Sequence, residues 1–128
     1  MLIDRKDIFE GRVIKVSVDT VDLPNGVRLP LEIVRHPGGA AAAAIDDQNR
    51  ICLLHQYRHA AGGYIYELPA GKLEPDEPPE ATARRELVEE GAVHAARWTS
   101  LGAYFSSPRP TISYIATMRC RLTMPFTL

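Results

Sequence analysis

The sequence predicts an α/β fold, because strand-like alternation runs through both halves of the chain and one strong helix pattern lies between them. Apolar and polar residues alternate over 12–19 and again over 27–33, whereas the segment 80–90 contains no residue that breaks a helix. With 128 residues, the chain has the length of one domain and can bury a core without disulfides or metals.

The first predicted element is a β-hairpin near the N-terminus. The turn Pro24-Asn25-Gly26 lies between the two alternating segments, and it suits a hairpin because proline presets φ and Asn-Gly tolerates positive φ. Pro30 lies within the second strand and has no N–H to donate, so we expect that strand at a sheet edge. The run His36-Pro37-Gly38-Gly39 then ends the pattern and predicts a boundary between a hairpin region, 1–37, and a main domain, 38–128.

Five further strands are predicted in the main domain. They cover 40–45, 51–54, 64–68, 98–105 and 112–122, and a loop at 106–110 separates the last two. The five alanines at 40–44 favour a helix by propensity, so the strand assignment there depends on the neighbouring turn signals. Pro69-Ala70-Gly71 ends the third of these strands and opens a loop through Pro75.

The one predicted helix covers 80–90. It follows two prolines, Pro78 and Pro79, which suit a helix start because the first helical N–H groups have no partner within the helix. Asp76 and Glu77 precede them and lie near the positive end of the helix dipole. Gly91 ends the helix pattern.

Overall composition excludes several classes of function. Lys plus Arg (15) nearly equals Asp plus Glu (16), so net charge gives no support for binding to nucleic acid or to an anionic membrane. The longest apolar stretch, 40–45, is far shorter than a bilayer span, and the N-terminal residues lack the apolar core of a signal peptide. Cys52 and Cys120 lie in apolar runs, which is typical of buried thiols in a reducing compartment. We therefore expect a cytoplasmic protein.

The acidic residues are concentrated in one place. Seven of the sixteen acids fall within the seventeen residues 74–90, and no acid follows Glu90. On the predicted helix, Glu86, Glu89 and Glu90 share one face, where like charges destabilise a helix by a few tenths of a kcal/mol per pair. Two interpretations remain open from the residues alone: a solvated acidic face, or a site for a hard divalent cation such as Mg²⁺.

The spacing of these acids resembles the signature of the Nudix hydrolases. Gly71 is followed after five residues by Glu77, and after seven more by Arg85-Glu86-Leu87-Val88-Glu89-Glu90. The family pattern continues with any residue, a glycine and an aliphatic residue, whereas this chain has Gly91, Ala92 and Val93. The glycine stands one place early, and Gly91 is then the candidate for the left-handed residue that ends the helix.

Segments outside this signature resemble the ADP-ribose pyrophosphatase branch of the family. They are 23–26, 56–58, 67–72 and 107–108. The resemblance implies an α/β/α sandwich with a mixed sheet, preceded by the N-terminal hairpin. Relatives continue for some fifty residues or more, so we expect the C-terminal helix to be missing and the main domain to be truncated. We then expect either a partner subunit that covers part of the exposed face or low stability.

The resemblance also implies a metal site on the helix. Glu86 and Glu90 would be the principal ligands of Mg²⁺ or Mn²⁺, joined by the backbone carbonyl of Ala70. Glu89 would be a further ligand or would orient water, and Arg85 would hold the glutamates in position. Glu77 would tie the loop to the helix.

Substrate contacts are implied by the same resemblance. Arg58 would bind a phosphate, although an ordinary surface arginine is the alternative interpretation. Glu74 matches a position near the metals and the substrate. In related enzymes the N-terminal hairpin reaches the active site of a second subunit, so Arg28 and Glu32 would contact the nucleoside across a homodimer.

The function implied is metal-dependent hydrolysis of ADP-ribose to AMP and ribose 5-phosphate. Relatives commonly place an acid a few residues after the Ser107-Pro108 pair, but Arg109 and Pro110 follow here and no acid occurs downstream. The general base would then be Glu74, Glu89 or Glu90. Two alternatives remain: hydrolysis of another nucleotide substrate, or a non-catalytic domain that binds nucleotides.

Overall fold

The computed structural model describes residues 1–105, 111–112 and 114–122. The chain forms two compact units. The first contains Met1–Gly38 and the short strand at 111–112, and the second contains Gly39–Tyr104 and most of the strand at 114–122.

The first unit is a small β-sheet. Strands β1 (Leu2–Glu10), β2 (Lys15–Asp22) and β3 (Arg28–Arg35) pair antiparallel in chain order, and β9 (Thr111–Ile112) pairs parallel with the end of β3. Within the described residues, β9 meets β3 only at Val34 and Arg35. Pro30 therefore lies on the unpaired part of that edge, as predicted.

Strand β1 is absent from the sequence prediction, which expected a two-stranded hairpin. All nine of its residues are exposed, so no apolar alternation marks it as a strand. It forms because the free edge of β2 offers unpaired backbone groups, with partners running from Leu2 opposite Val21 to Glu10 opposite Lys15. The N-terminal region is a three-stranded meander that contains the predicted hairpin.

One buried carboxylate joins the three antiparallel strands. Asp19 on β2 is 4% exposed and accepts two hydrogen bonds from Arg5 on β1, both 3.0 Å long. Arg35 on β3 donates to the same carboxylate at 2.5 Å, and Ser17 donates from its hydroxyl at 2.6 Å. The hydrogen bonds from Arg5 are the main reason that the pKa of Asp19 lies well below its usual range.

The second unit contains a mixed sheet, a separate hairpin and one helix. Its elements are β4 (Gly39–Ile45), β5 (Leu54–Arg58), β6 (Gly63–Glu67), β7 (Ala70–Lys72), α1 (Pro79–Gly91), β8 (Ala95–Phe105) and β10 (Tyr114–Leu122). The sheet has the order β7-β4-β10-β8, with β7 antiparallel and β10 parallel to β4. Strands β5 and β6 form a two-stranded antiparallel sheet of their own. The predicted α/β class and mixed sheet are confirmed, with one α-helix and one short 3₁₀ helix (His59–Ala61) in the described part of the chain.

Small side chains bring the helix close to the sheet. Ala40, Ala42 and Ala44 alternate along β4 and are at most 1% exposed, and they form one cluster with Ala83 and Leu87 of α1. The alanine run is a strand, as predicted, because backbone pairing on both edges of β4 outweighs helix propensity. Cys52, predicted to be buried, is half-buried and packs against this cluster.

Two strand predictions in this unit need correction. The segment predicted as a strand at 51–54 forms only an isolated bridge from Ile51 to Ile45, and β5 begins at Leu54. Asp46 explains the shift, because its carboxylate accepts hydrogen bonds from the backbone N–H groups of Gln48 and Arg50 and so closes a turn there. The second correction is β7, which lies where the sequence predicted a loop. The predicted loop at 106–110 lies outside the described residues.

Helix α1 begins at Pro79, as its prolines predict, and ends in a way the sequence did not predict. Gly91 is its last residue, and the left-handed conformation falls on Ala92 (φ 51°, ψ 34°), whose N–H donates to the carbonyl of Val88 at 3.0 Å. The signature that the sequence resembles has its glycine at the position of Ala92, and here an alanine adopts the left-handed conformation that glycine adopts more readily. Among the described residues, we find no helix with the length and apolar character needed to cross a membrane.

We expect the double substitution Gly91→Ala and Ala92→Gly to stabilise the protein. A Cβ at residue 91 meets only ordinary contacts, the nearest being Cys52 Sγ at 3.5 Å, and an alanine there favours the helix by about 1 kcal/mol. A glycine at 92 removes a left-handed alanine, which costs about 1 kcal/mol. Denaturant unfolding checks this. Gly62→Ala, at a left-handed glycine with open space around it (φ 75°), is the matched control and should destabilise. An unchanged midpoint for the double variant would contradict the account of the helix end.

We expect Asp19→Asn to lower the melting temperature at pH 7. Because the pKa of Asp19 is depressed in the folded state, the ionised carboxylate stabilises the fold above the unfolded pKa of about 3.9. That stabilisation is lost as the pH falls toward the folded pKa. The difference between wild type and variant should therefore narrow below about pH 4. Thermal melts across pH test this, with the exposed Asp4→Asn as control; a difference that does not depend on pH would contradict it.

Candidate active site

Strand β7 and helix α1 approach each other at Gly71, where the Glu86 side chain of the helix lies directly against the strand backbone. A Cβ built at Gly71 would lie 1.9 Å from Oε1 of Glu86 and 2.1 Å from its Cδ. The Glu86 side chain is only 13% exposed, so the strand covers it. Glycine is required at this position to let the carboxylate lie against the strand backbone.

The residue next to it on β7 holds a second glutamate. The backbone N–H of Ala70 donates to Oε2 of Glu90 at 3.1 Å, and the side-chain amide of Gln56 on β5 approaches the other oxygen at 3.4 Å. Consecutive residues of β7 thus contact Glu86 and Glu90, which lie one turn apart on α1. The strand sets the positions of both carboxylates.

Arg85 balances part of the acidic charge. Its Nε and Nη2 donate to the two oxygens of Glu77 at 3.2 and 3.1 Å, and its Nη1 donates to Glu86 at 2.7 Å and to Glu89 at 3.3 Å. Thr82 also donates to Glu77, at 2.8 Å. The hydrogen bonds from Arg85 are the main cause that lowers the pKa of Glu77 to about 2. Glu77 therefore fixes the start of α1 through Arg85, in line with the structural role expected for it.

Arg58 is engaged at the hairpin β5–β6. Its Nε donates to Oε2 of Glu67 at 3.1 Å and its Nη2 donates to Oε1, so the pair is bidentate. Glu67 is the main cause of a raised pKa for Arg58, and the charge of Glu90 raises it further. The arginine is half-exposed, which keeps it accessible to a ligand.

The other predicted site residues fall in two places. Glu74 lies in the loop before α1 with a 55% exposed side chain, 3.4 Å from Lys72. Arg28 and Glu32 lie on β3 in the first unit, both exposed. Arg28 donates from Nε and Nη2 to Asp22 at 2.6 and 2.8 Å, so an ion pair within the hairpin already holds it.

The donor set on α1 fits a hard divalent cation by its chemistry. Glu86, Glu89 and Glu90 provide carboxylate oxygens on one helix face, and Mg²⁺ uses one or two carboxylates together with water and substrate phosphates. Among the described residues, no three His, Cys, Asp or Glu side chains converge on a single point. The arrangement is thus an open set of carboxylates.

Sequence reasoning missed three partners in this site. The predicted Arg58 donates to Glu67. The predicted Glu90 and Glu77 accept hydrogen bonds from Gln56 and Thr82, respectively. A signal for Glu67 was present, because the strand pair 54–58 and 63–67 brings it to the same hairpin face as Arg58. The contacts of Gln56 and Thr82 depend on tertiary packing that no local pattern shows.

Comparison with known proteins identifies a family and several relatives. The NUDIX domain family model matches residues 35–125. An ADP-ribose pyrophosphatase of Bacillus subtilis (strain 168) is 44% identical over 83% of this chain and 57% of its own length. The methanol dehydrogenase activator of Bacillus methanolicus is 46% identical over the same shares. An ADP-ribose pyrophosphatase of Mycobacterium tuberculosis is 39% identical over 77% of this chain and 48% of its own length. The chain therefore spans about half the length of these curated relatives.

A solved structure shares the fold. The crystal structure of an ADP compounds hydrolase superposes with a TM-score of 0.80 over the whole of this chain and 70% of that chain, at 22% sequence identity. This likeness concerns the fold alone. The family match over 35–125 and the relatives at 39–46% identity show that the chain belongs to the Nudix family.

Proposed function

We propose that this protein hydrolyses the pyrophosphate bond of ADP-ribose or a similar nucleoside diphosphate sugar, giving AMP and ribose 5-phosphate, with Mg²⁺ or Mn²⁺ as cofactor. The observation that carries the proposal is the contact of β7 with α1, where Gly71 accommodates Glu86 and Ala70 donates to Glu90. Two relatives named ADP-ribose pyrophosphatase support the substrate.

Each residue near α1 has a separate task in this proposal. Glu86 and Glu90 hold the metal, joined by the carbonyl of Ala70, while Arg85 restrains Glu86 and Glu89. A bound divalent ion neutralises the pyrophosphate and makes water more acidic. Arg58 binds a phosphate through charge-assisted hydrogen bonds.

Glu89 is the general base in this proposal. Its side chain is 57% exposed, and among the described residues it accepts a hydrogen bond from Arg85 at 3.3 Å. Glu90 accepts hydrogen bonds from the Ala70 N–H and the Gln56 amide, and these hold it in place as a metal ligand. Glu74, the remaining acid, lies in the loop before α1 and is assigned to the substrate side of the site.

We also propose a homodimer in which Arg28 and Glu32 contact the nucleoside bound by the other subunit. Glu32 is exposed on β3, and Arg28 lies four residues before it on the same strand face. The division of the chain after Gly38 supports the proposed boundary between the hairpin region 1–37 and the main domain 38–128, whereas the strand at 111–112 groups with the first unit. Light scattering coupled to size exclusion tests the dimer, and a monomer at micromolar concentration would contradict it.

A product assay tests the function directly. Purified protein is incubated with Mg²⁺ or Mn²⁺ and with ADP-ribose, other nucleotide sugars and nucleoside triphosphates, and the products are separated. We expect AMP to appear fastest from ADP-ribose and only with metal. Faster release from a triphosphate would identify another substrate class, and binding of ADP-ribose without turnover would identify a non-catalytic domain.

We expect Glu90→Gln to lower kcat about 100-fold or more, the scale of losing one electrostatic contact to a charged transition state. Its melting temperature should not fall, because the amide oxygen still accepts from Ala70 and a like-charge repulsion on α1 is removed. Glu80→Gln removes the same charge from the exposed pair with Arg84 and is the matched control. Near-full activity in Glu90→Gln would contradict the metal assignment.

We expect Gly71→Ala to fold and to lose activity. The new Cβ would collide with the Glu86 carboxylate, which can move only by rotating its flexible side chain away from β7. Misplacing one ligand should weaken Mn²⁺ binding by about 10- to 100-fold, measured by calorimetry. Gly63→Ala, where a Cβ meets nothing within 4 Å, is the control. Unchanged Mn²⁺ affinity in Gly71→Ala would show that Glu86 is not a ligand.

A further inference from the structure

One face of the hairpin β5–β6 is directed at the glutamates of α1. Leu54, Gln56 and Arg58 alternate along β5 on this face, and Leu54 is opposite Glu67 in the strand register. Gln56 reaches Glu90 on α1, which shows that this face lies beside the helix end that carries the proposed metal ligands.

The direction of the Arg58 side chain does not follow from its own strand position. Arg58 is opposite Gly63, next to the turn, whereas Glu67 is opposite Leu54 at the other end of the hairpin. To reach Glu67, the guanidinium has to extend back along the strand, away from the turn. The ion pair therefore carries the positive charge toward the segment that enters β7 and toward Glu90.

The geometry of the pair leaves part of the guanidinium available. Glu67 accepts from Nε and Nη2, which form one edge of the planar group. A guanidinium has five N–H donors, so Nη1 and the second hydrogen of Nη2 form another edge. Among the described residues, only Glu67 accepts hydrogen bonds from Arg58, and Nη1 is not one of the donors. That second edge matches the spacing of two phosphate oxygens.

We propose that Glu67 is a positioning residue that holds Arg58 with its Nη edge directed at the substrate's phosphate. The inference rests on the proposed function, because it requires an anionic substrate at α1. Glu67 is 23% exposed and Arg58 is 46% exposed, so the carboxylate is the better covered and more fixed member of the pair. Holding the arginine before substrate arrives removes the rotamer entropy that binding would otherwise cost.

Two other roles for Glu67 predict different effects of its removal on substrate binding. If Glu67 acted only as a competing anion, its removal would free Arg58 and tighten substrate binding. If it served only the stability of the hairpin, its removal would lower the melting temperature and leave affinity unchanged. Positioning instead predicts weaker binding that depends on the presence of Arg58.

The test is a double-mutant cycle of Glu67→Gln, Arg58→Ala and the double variant. The affinity for ADP-ribose is measured by calorimetry in EDTA, and KM and kcat are measured with Mg²⁺. We expect Glu67→Gln to raise Kd and KM about fivefold, the scale of one immobilised side chain, with kcat at saturation nearly unchanged. In the Arg58→Ala background the same change should have less than about a twofold effect, because its target is gone. Glu80→Gln is the charge-matched control.

The outcomes of this cycle distinguish the positioning role of Glu67 from the proposed hydrolysis. Tighter binding in Glu67→Gln, or an equal effect in both backgrounds, would overturn the positioning role. If wild type binds ADP-ribose without hydrolysing it and the cycle still shows coupling, hydrolysis fails and the positioning role stands. If hydrolysis proceeds and the cycle shows no coupling, the proposed function stands and the positioning role fails. No binding by wild type in EDTA and no turnover with metal would overturn both.

Discussion

The candidate active site of this protein depends on a contact in which the backbone of strand β7 lies directly against a glutamate of helix α1. Gly71 has no side chain, so Glu86 reaches the surface of β7, and the neighbouring N–H of Ala70 holds Glu90. The alanines of β4 serve the same end, since their small size lets α1 approach the sheet closely enough for this contact to form. The positions of two carboxylates are therefore set by backbone, which moves less than side chains.

The negative charges around helix α1 are only partly neutralised by Arg85. Arg85 is bound by Glu77, Glu86 and Glu89, and one guanidinium cannot neutralise three carboxylates. Glu77 takes the strongest share, as its lowered pKa indicates, and thereby fixes the helix start. The negative charge that remains on the exposed face is what a divalent cation and its bound phosphate would neutralise.

Sequence patterns predicted the elements whose signals are local. The prolines before α1 and the turn at 24–26 each act over a few residues, and the structure has the elements where these signals place them. Strand β1 was missed because its exposed residues carry no alternation and its pairing with β2 is what makes it a strand. The left-handed Ala92 was missed because the conformational preference of alanine opposes it. The ion pair between Glu67 and Arg58 was missed because it depends on how strands β5 and β6 pair.

The single tryptophan occupies a place that makes it an optical sensor of the helix. Trp98, on β8, packs against the alanine cluster and lies 4.5 Å from the guanidinium of Arg84, one residue before Arg85. Its indole N–H donates to the carbonyl of Ala95, which fixes the ring. A displacement of α1 by a fraction of an ångström would change the field on the indole and therefore its emission wavelength. Because the sequence has no other tryptophan, the fluorescence emission wavelength reports the position of helix α1 relative to Trp98 without an added label.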